Sequence, residues 1–372
     1  MISPTPRHAV ILAGGRGTRF WPRSRSRTPK QLLNIVGDKT MLEQTYERIA
    51  PIFAPSNVWV VTNAEQAGAV RHQLRGVPPQ NALVEPFGRN TAVATGLAAI
   101  HLLKRGGSDA LMAVLPADHF IGKPARYRQI LRAALKLAAE PRTLVVLGIP
   151  PLHPETGYGY IERAPGKREM PAAAEDRAYA VRRFTEKPSL KLARTYVATR
   201  RYFWNAGMFF WRASTFLENL ERYLPKTHAA LMRLSETIGT PRYPAALKRE
   251  YSRMENISVD YAILEPASRD PKHSRVLVIP TEIQWSDIGS WAAVYELLAK
   301  GAGANVSTGK VLALDATGNL IWSPSKFIAA VGVTGLIIVE TPDALLVCSR
   351  ERAQDVGRVV KWLEQQHLQN LL

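Results

Sequence analysis

Cysteine is almost absent: Cys348 is the only one in 372 residues. That excludes an intramolecular disulfide framework and fits a reducing compartment. Its setting in the apolar run "ALLVCS" predicts packing rather than reactivity. Long apolar runs are also lacking. "TLVVLGI" and "GLIIV" have strand length, far below the ~18 residues a membrane span needs. The opening "MISPTPRH" has no basic segment followed by an apolar core, so a cytoplasmic location without a secretory leader is expected. There is no zinc-finger spacing, no aromatic RNA-binding motif and no internal repeat.

Acidic residues are missing where basic ones are densest. The chain carries 49 Lys/Arg against 31 Asp/Glu, a net charge of +18. Seven of those basic residues, and no Asp or Glu, fall within residues 1–30. Such an imbalance points to a polyanionic partner, either nucleic acid or a phosphorylated small molecule. Its concentration in "LAGGRGTRFWPRSRSRTPKQLL", where glycines follow an apolar run, favours the small molecule. Glycines let main-chain N–H groups approach an anion at the end of a strand. Two familiar phosphate loops fail here. No lysine follows a suitably spaced glycine as a Walker A loop requires, and Phe20 stands where the dinucleotide fingerprint needs its third glycine. What remains is a glycine turn with Arg19 and Lys30 as charge clamps on a polyphosphate. Arg16, Arg23, Arg25 and Arg27 are expected to be solvated charges that raise the local potential.

The pattern beyond the loop is α/β. "HAVILAGG", "NVWVVTN", "ALMAVLPADHF" and "TLVVLGIPP" are strand-like runs separated by helix-like stretches. This alternation predicts a mostly parallel sheet with helices on both faces, whose ligands bind at the carboxyl ends of the strands. "GYGYIERA", "AYAVRRFTEKP" and "NAGMFFWR" read as further strands, and helical material follows from about Ser214 to Leu264. The style changes near Gly301. Two domains are expected, 1–300 and a small β-rich unit over 301–372 that ends in an amphipathic helix. That helix either caps the unit or makes a subunit contact.

The basic loop resembles the nucleotide loop of the sugar-phosphate nucleotidylyltransferases, specifically the mannose-1-phosphate guanylyltransferases. Trp21-Pro22 and the Gln31 after "PK" favour that branch. "EPFGRNTA", "LPADHFI", "GYGYIE", "FTEKP", "WNAGMFFW", "SVDYAILE" and "WSDIGSW" match in the same order. The resemblance implies a Rossmann-like core with a mixed, mostly parallel sheet, and GTP and mannose 1-phosphate as substrates. It implies Mg²⁺ or Mn²⁺ as the ion, with neither nucleic acid nor membrane as a partner. The β-rich tail is a candidate homodimer contact. The short form is expected, without the isomerase domain of many relatives.

Residue by residue, the resemblance assigns Leu12, Ala13, Gly14, Gly15, Gly17, Thr18, Gly88, Asn90 and Thr91 to the nucleotide. Arg19 and Lys30 serve the triphosphate, and Asp118 and Asp287 hold the metal. Gly159, Glu186, Lys187, Asn205 and Asp260 form the sugar-phosphate pocket, with Lys187 on the 1-phosphate. His119 is expected to be structural. Guanine is implied by the resemblance alone, because backbone groups can satisfy its edge. Two alternatives stand beside this reading: guanylyl transfer to another sugar 1-phosphate such as a manno-heptose 1-phosphate, and a non-catalytic regulatory subunit that binds nucleotide-sugar. Retention of Arg19, Lys30, Asp118, Lys187 and Asp287 argues against the regulator.

Overall fold

Strands form where short apolar runs can be buried on both faces. In the computed structural model, which describes residues 5–106, 109–165, 170–171 and 177–372, these runs build one large sheet. Its strands are β1 (Arg7–Leu12), β2 (Val58–Asn63), β3 (Ala82–Glu85) and β4 (Leu111–Pro116). After a short β5 (Phe120–Ile121), which lies outside this sheet, come β6 (Thr143–Ile149), β7 (Tyr160–Arg163) and β8 (Met170–Pro171). β9 (Arg177–Thr185), β10 (Tyr202–Arg212) and β11 (Arg275–Pro280) complete it, and β12 (Trp285–Ser286) pairs with β5. The spatial order is β3-β2-β1-β4-β10-β6-β11-β9-β7, with β8 on β9.

The sheet is mixed. It is parallel through β3-β2-β1-β4 and again between β6 and β11, while β10 runs antiparallel between β4 and β6. Alternation along β1 explains the layers. Ala9 and Ile11 enter a core shared with Leu42 and Leu131, and Val10 enters the opposite core with Leu97 and Phe216. Helices therefore cover both faces. Leu12 and Pro116 are register partners, so the loops leaving β1 and β4 start from one rim of the sheet. No helix among the described residues is long and apolar enough to cross a membrane.

The C-terminal part is a separate four-stranded sheet. β13 (Val306–Leu314), β14 (Leu320–Val331) and β15 (Leu336–Glu340) stack in parallel, and β16 (Leu345–Ser349) returns antiparallel. Cys348 lies half-buried on β16. The last α-helix, Val356–Gln365, packs on this sheet and also reaches beyond it. Its apolar residues Val356, Val360 and Leu363 join a core that contains Phe20, Trp21, Trp291, Leu320 and Ile337. That core fuses the basic loop to the C-terminal sheet. Each large side chain buried in it contributes about 1.5–3 kcal/mol.

Candidate active site

The glycine loop is held from behind. Gln31 Nε2 donates to the carbonyls of Ala13 (3.1 Å) and Gly15 (2.8 Å), Thr62 Oγ1 to Ala13 O (3.1 Å), and Ser24 Oγ to Gly17 O (2.7 Å). With those carbonyls engaged, the N–H groups of Gly14, Gly15, Arg16, Gly17 and Thr18 find no protein acceptor among the described residues. A row of open donors after a strand is an anion cradle. Gly17 has φ +60°, and a Cβ on it would lie 2.7 Å from Lys30 Cβ and 2.8 Å from Lys30 N. Only glycine lets the turn close on Lys30.

Lys30 is the hub of the site. Its side chain is only 6% exposed; Nζ donates to Asp118 Oδ2 at 2.9 Å and to the main-chain oxygen of Asp287. Tyr158 OH donates to Asp287 Oδ1 at 2.7 Å. Two aspartates far apart in sequence thus meet at one ammonium, Asp118 by its carboxylate and Asp287 by its main-chain oxygen. Burial pushes the Asp118 carboxyl up, but the Lys30 charge and hydrogen bond outweigh it and hold it below its ordinary value. The turn bearing Asp118 is anchored by the helix Met41–Ile49, where Thr45 Oγ1 donates to Ala117 O (3.1 Å) and Arg48 to His119 O (3.2 Å). The segment bearing Asp287 contains Ile288 at φ +41°, a left-handed conformation that β-branched residues rarely adopt. Its fully buried side chain, in the core beneath the basic loop, holds it there.

A cavity of about 380 Å³ opens between the glycine loop and Asp118. Leu12, Gly14, Gly15, Gly88, Asn90 and Thr91 line one side, and Asp118, His119, Gly207 and Asp260 another. Asn90 sits at φ +65°, a conformation that Asn tolerates. Its Oδ1 accepts from Thr91 N, while Thr91 Oγ1 accepts from Val259 N at 2.9 Å and so ties the start of the helix Asn90–Gly106 to the Asp260 segment.

Glu85 also lines the cavity, a residue to which the sequence motifs assign no role. Glu85 ends β3 with 5% exposure; its Oε1 accepts from Tyr251 OH at 3.1 Å, and its carboxylate also accepts from the Arg89 main-chain N–H. Oε2 lies 3.2 Å from where a Cβ on Gly14 would stand. Burial outweighs both hydrogen bonds and pushes the carboxyl up to about 7. The available signal was an acidic residue ending the apolar strand "ALVE".

The residues expected to bind the sugar phosphate also converge, with one exception. Asn205 Nδ2 donates to Asp260 Oδ1 (2.7 Å), Asn205 Oδ1 accepts from Gly207 N (3.1 Å), and Asn205 N donates to Gly159 O (2.8 Å). A Cβ on Gly159 would stand 2.5 Å from Glu186 Oε2, so this glycine lets the carboxylate fold against the backbone. Asp260 opens a π-helical turn, Asp260–Leu264, of a kind that often marks functional sites. Burial, then the charge of Asp260, raises Glu186 to about 7, and burial raises Asp260 above its ordinary value. Lys187 is the exception: 60% exposed, its Nζ reaches only Glu186, at 3.4 Å.

The arginines divide differently from the expectation. Arg16 pairs with Glu364 (2.5 Å), and Arg25 pairs with Asp343 (2.7 Å) and donates to Leu371 O. Arg23 donates to Asn34 and lies 4.0 Å over the Trp322 ring, where burial pushes it down to about 10. These three therefore tether the loop to the C-terminal part; Arg23 and Arg25 are partly buried, while Arg16 keeps the expected solvent exposure. Arg19 is fastened too, donating from Nη1 to Gln354 Oε1 at 2.7 Å.

Comparison with known proteins fits this geometry. Residues 8–302 match the model of the nucleotidyl transferase family, and residues 309–363 match the mannose-phosphate isomerase/GMP-like β-helix domain. The alginate biosynthesis protein AlgA of Pseudomonas aeruginosa is 39% identical over 365 residues, covering 96% of this chain and 72% of that protein. The mannose-1-phosphate guanylyltransferase of Escherichia coli K12 is 38% identical over 362 residues, covering 96% and 73%. A crystal structure from Thermus thermophilus, described as a mannose-1-phosphate geranyltransferase, superposes with a TM-score of 0.85 at 34% identity, covering 97% of this chain and all of that one. The chain therefore belongs to the nucleotidyl transferase family, in its mannose-1-phosphate guanylyltransferase branch, and carries a C-terminal β-helix-type domain.

Proposed function

We propose that this protein transfers GMP from GTP to α-D-mannose 1-phosphate in the cytoplasm, giving GDP-mannose and pyrophosphate. The observation that carries this reading is a single cavity with an open N–H cradle and Lys30 beside it and the buried carboxylate of Glu85 in its wall. Guanine presents two adjacent donors, N1–H and N2–H₂, which a carboxylate accepts together. Adenine presents an acceptor at N1 and would leave Glu85 unmatched. Glu85 therefore supplies a side-chain basis for the base preference.

In the reaction, an oxygen of the sugar phosphate attacks the α-phosphorus of GTP. One P–O bond forms, the bond between the α-phosphorus and its bridging oxygen breaks, and pyrophosphate leaves with the electron pair. Both reactants are anions, and a phosphate monoester is already ionised at neutral pH, so no general base is required. The protein contributes alignment and charge. The cradle of residues 14–18 and Lys30 hold the triphosphate, and Glu186 and Asp260 accept from sugar hydroxyls. Lys187 is placed on the sugar 1-phosphate, which requires it to swing inward.

Nucleotidyltransferases of this family use a divalent metal ion. The donor set fits one: Asp118 offers a carboxylate beside Lys30, and Asp287, whose main-chain oxygen meets the same ammonium, offers a second carboxylate held by Tyr158. Among the described residues no group of three or more His, Cys, Asp or Glu forms a metal cage. Mg²⁺ suits such a site, since it binds through one or two carboxylates plus phosphate oxygens, and Mn²⁺ is its proposed substitute. When bound it supplies positive charge to the phosphate oxygens. The test is pyrophosphate release across a grid of nucleoside triphosphates and sugar 1-phosphates, with and without Mg²⁺. Metal-dependent turnover with GTP and mannose 1-phosphate is expected; no turnover with any pair would remove this reading in favour of a binding role.

A further inference from the structure

His119 lines the cavity beside Asp118, but one of its two ring nitrogens is already taken. Trp285 Nε1 lies 3.1 Å from His119 Nδ1. An indole N–H can only donate, so Nδ1 must accept, and the neutral ring then carries its proton on Nε2. An Nε2 that bears a proton has no lone pair for a metal, so the ring is not a ligand in this arrangement. It is a donor of fixed polarity.

The ring is also fixed in orientation. It meets Trp285 edge-on, with centroids 5.5 Å apart and planes at 82°, and Trp285 in turn packs 5.3 Å from Tyr158, whose hydroxyl holds Asp287. On its other side, Cε1 lies 3.7 Å from where a Cβ on Gly207 would stand. Gly207 has φ +65° and carries no side chain, which leaves space in front of the ring edge that joins Cε1 to Nε2. No described protein group accepts from Nε2. Gly207 N donates to Asn205 Oδ1 (3.1 Å) and Asn205 Nδ2 to Asp260 Oδ1 (2.7 Å), so the space before the ring adjoins the residues assigned to the sugar phosphate, whereas Glu85 lines the cavity beside Gly14.

We propose that His119 is a substrate-binding residue whose Nε2–H donates to an oxygen of the bound sugar phosphate, with Trp285 as the residue that fixes its tautomer. This rests on the substrate assignment made above. The two ring nitrogens have different amide mimics. Asn places its amide oxygen where Nδ1 accepts from Trp285 and loses the Nε2 donor. Gln places its amide N–H where Nε2 donates and loses the Nδ1 acceptor.

Steady-state kinetics with GTP and mannose 1-phosphate separate the roles. H119N is expected to raise the KM for mannose 1-phosphate about tenfold while leaving the KM for GTP within about twofold, as the loss of one substrate hydrogen bond implies. H119Q is expected to stay within about threefold of wild type, and W285F to fall between the two. A purely structural histidine gives the reverse order, with H119N benign and H119Q damaged; that order, or equal KM values in all the variants, overturns the proposal. If H119N does not fold, W285F decides: an unchanged KM for mannose 1-phosphate overturns it. A wild type without turnover defeats the functional reading instead, and the same order is then sought in calorimetric binding of mannose 1-phosphate.

Discussion

Arg19 and Gln354 are 335 positions apart in sequence and 2.7 Å apart in space, Nη1 to Oε1. The residue expected to neutralise the triphosphate is thus oriented by the C-terminal domain. Gly357 strengthens the connection, since a Cβ there would lie 3.5 Å from Thr18 Oγ1 and 3.8 Å from Arg19 Cγ. Q354A removes one side-chain hydrogen bond, worth about 0.5–1.5 kcal/mol. A two- to tenfold rise in the KM for GTP is expected, with the thermal midpoint lowered by no more than about 4 °C. Normal GTP kinetics would mean that Arg19 needs no such support.

Asp118 and Lys30 have separate expected failures. D118A should abolish metal-dependent turnover, with circular dichroism still reporting a folded chain. K30M should lower kcat about a hundredfold or more, as loss of a charged contact to the reacting phosphates does. Near-normal rates in D118A across a magnesium titration would remove Asp118 from the metal site.

Glu85 predicts a pH dependence of GTP binding. Its carboxyl is raised from the ordinary 4.5 to about 7 in the folded protein. Below about 7 the free protein holds it protonated, as a poorer acceptor for guanine. The KM for GTP should therefore fall as pH rises through 7, and E85Q should flatten that profile. The same shift acts on stability. Between 4.5 and 7 the folded chain binds more protons at this site than the unfolded one, so its contribution to stability decreases with rising pH. E85Q should also lower kcat/KM for GTP by about 10- to 100-fold. ITP, which lacks the N2 amino group, should lose less, and an equal loss for both nucleotides would contradict the assigned contact.

The glycines of the loop should not be equivalent. A Cβ on Gly15 meets nothing within 4 Å, whereas one on Gly17 collides with Lys30 at a left-handed φ. G17A should destabilise the protein by about 1–3 kcal/mol and reduce turnover by displacing Lys30. G15A should fold normally. Urea denaturation of the pair checks this, and equal midpoints would contradict the close packing.

The strand runs, the rim at which the loops after Leu12 and Pro116 emerge, and the motifs that carry the candidate site residues are legible in the chain before it folds. These features are local. Apolar alternation, a glycine turn and an acid at a strand end depend on neighbours along the chain, and so they can be read there. Folding adds that Asp118 and Asp287 meet at Lys30, and that Glu85 borders the cavity beside the glycine loop. It also adds that Arg16, Arg23 and Arg25 fasten the basic loop to the C-terminal part, while Lys187 stays at the surface. Those outcomes depend on topology, which sets the distance between residues hundreds of positions apart. Burial, which turns an ordinary glutamate into a carboxyl poised near neutral pH, arises only when the layers close over it.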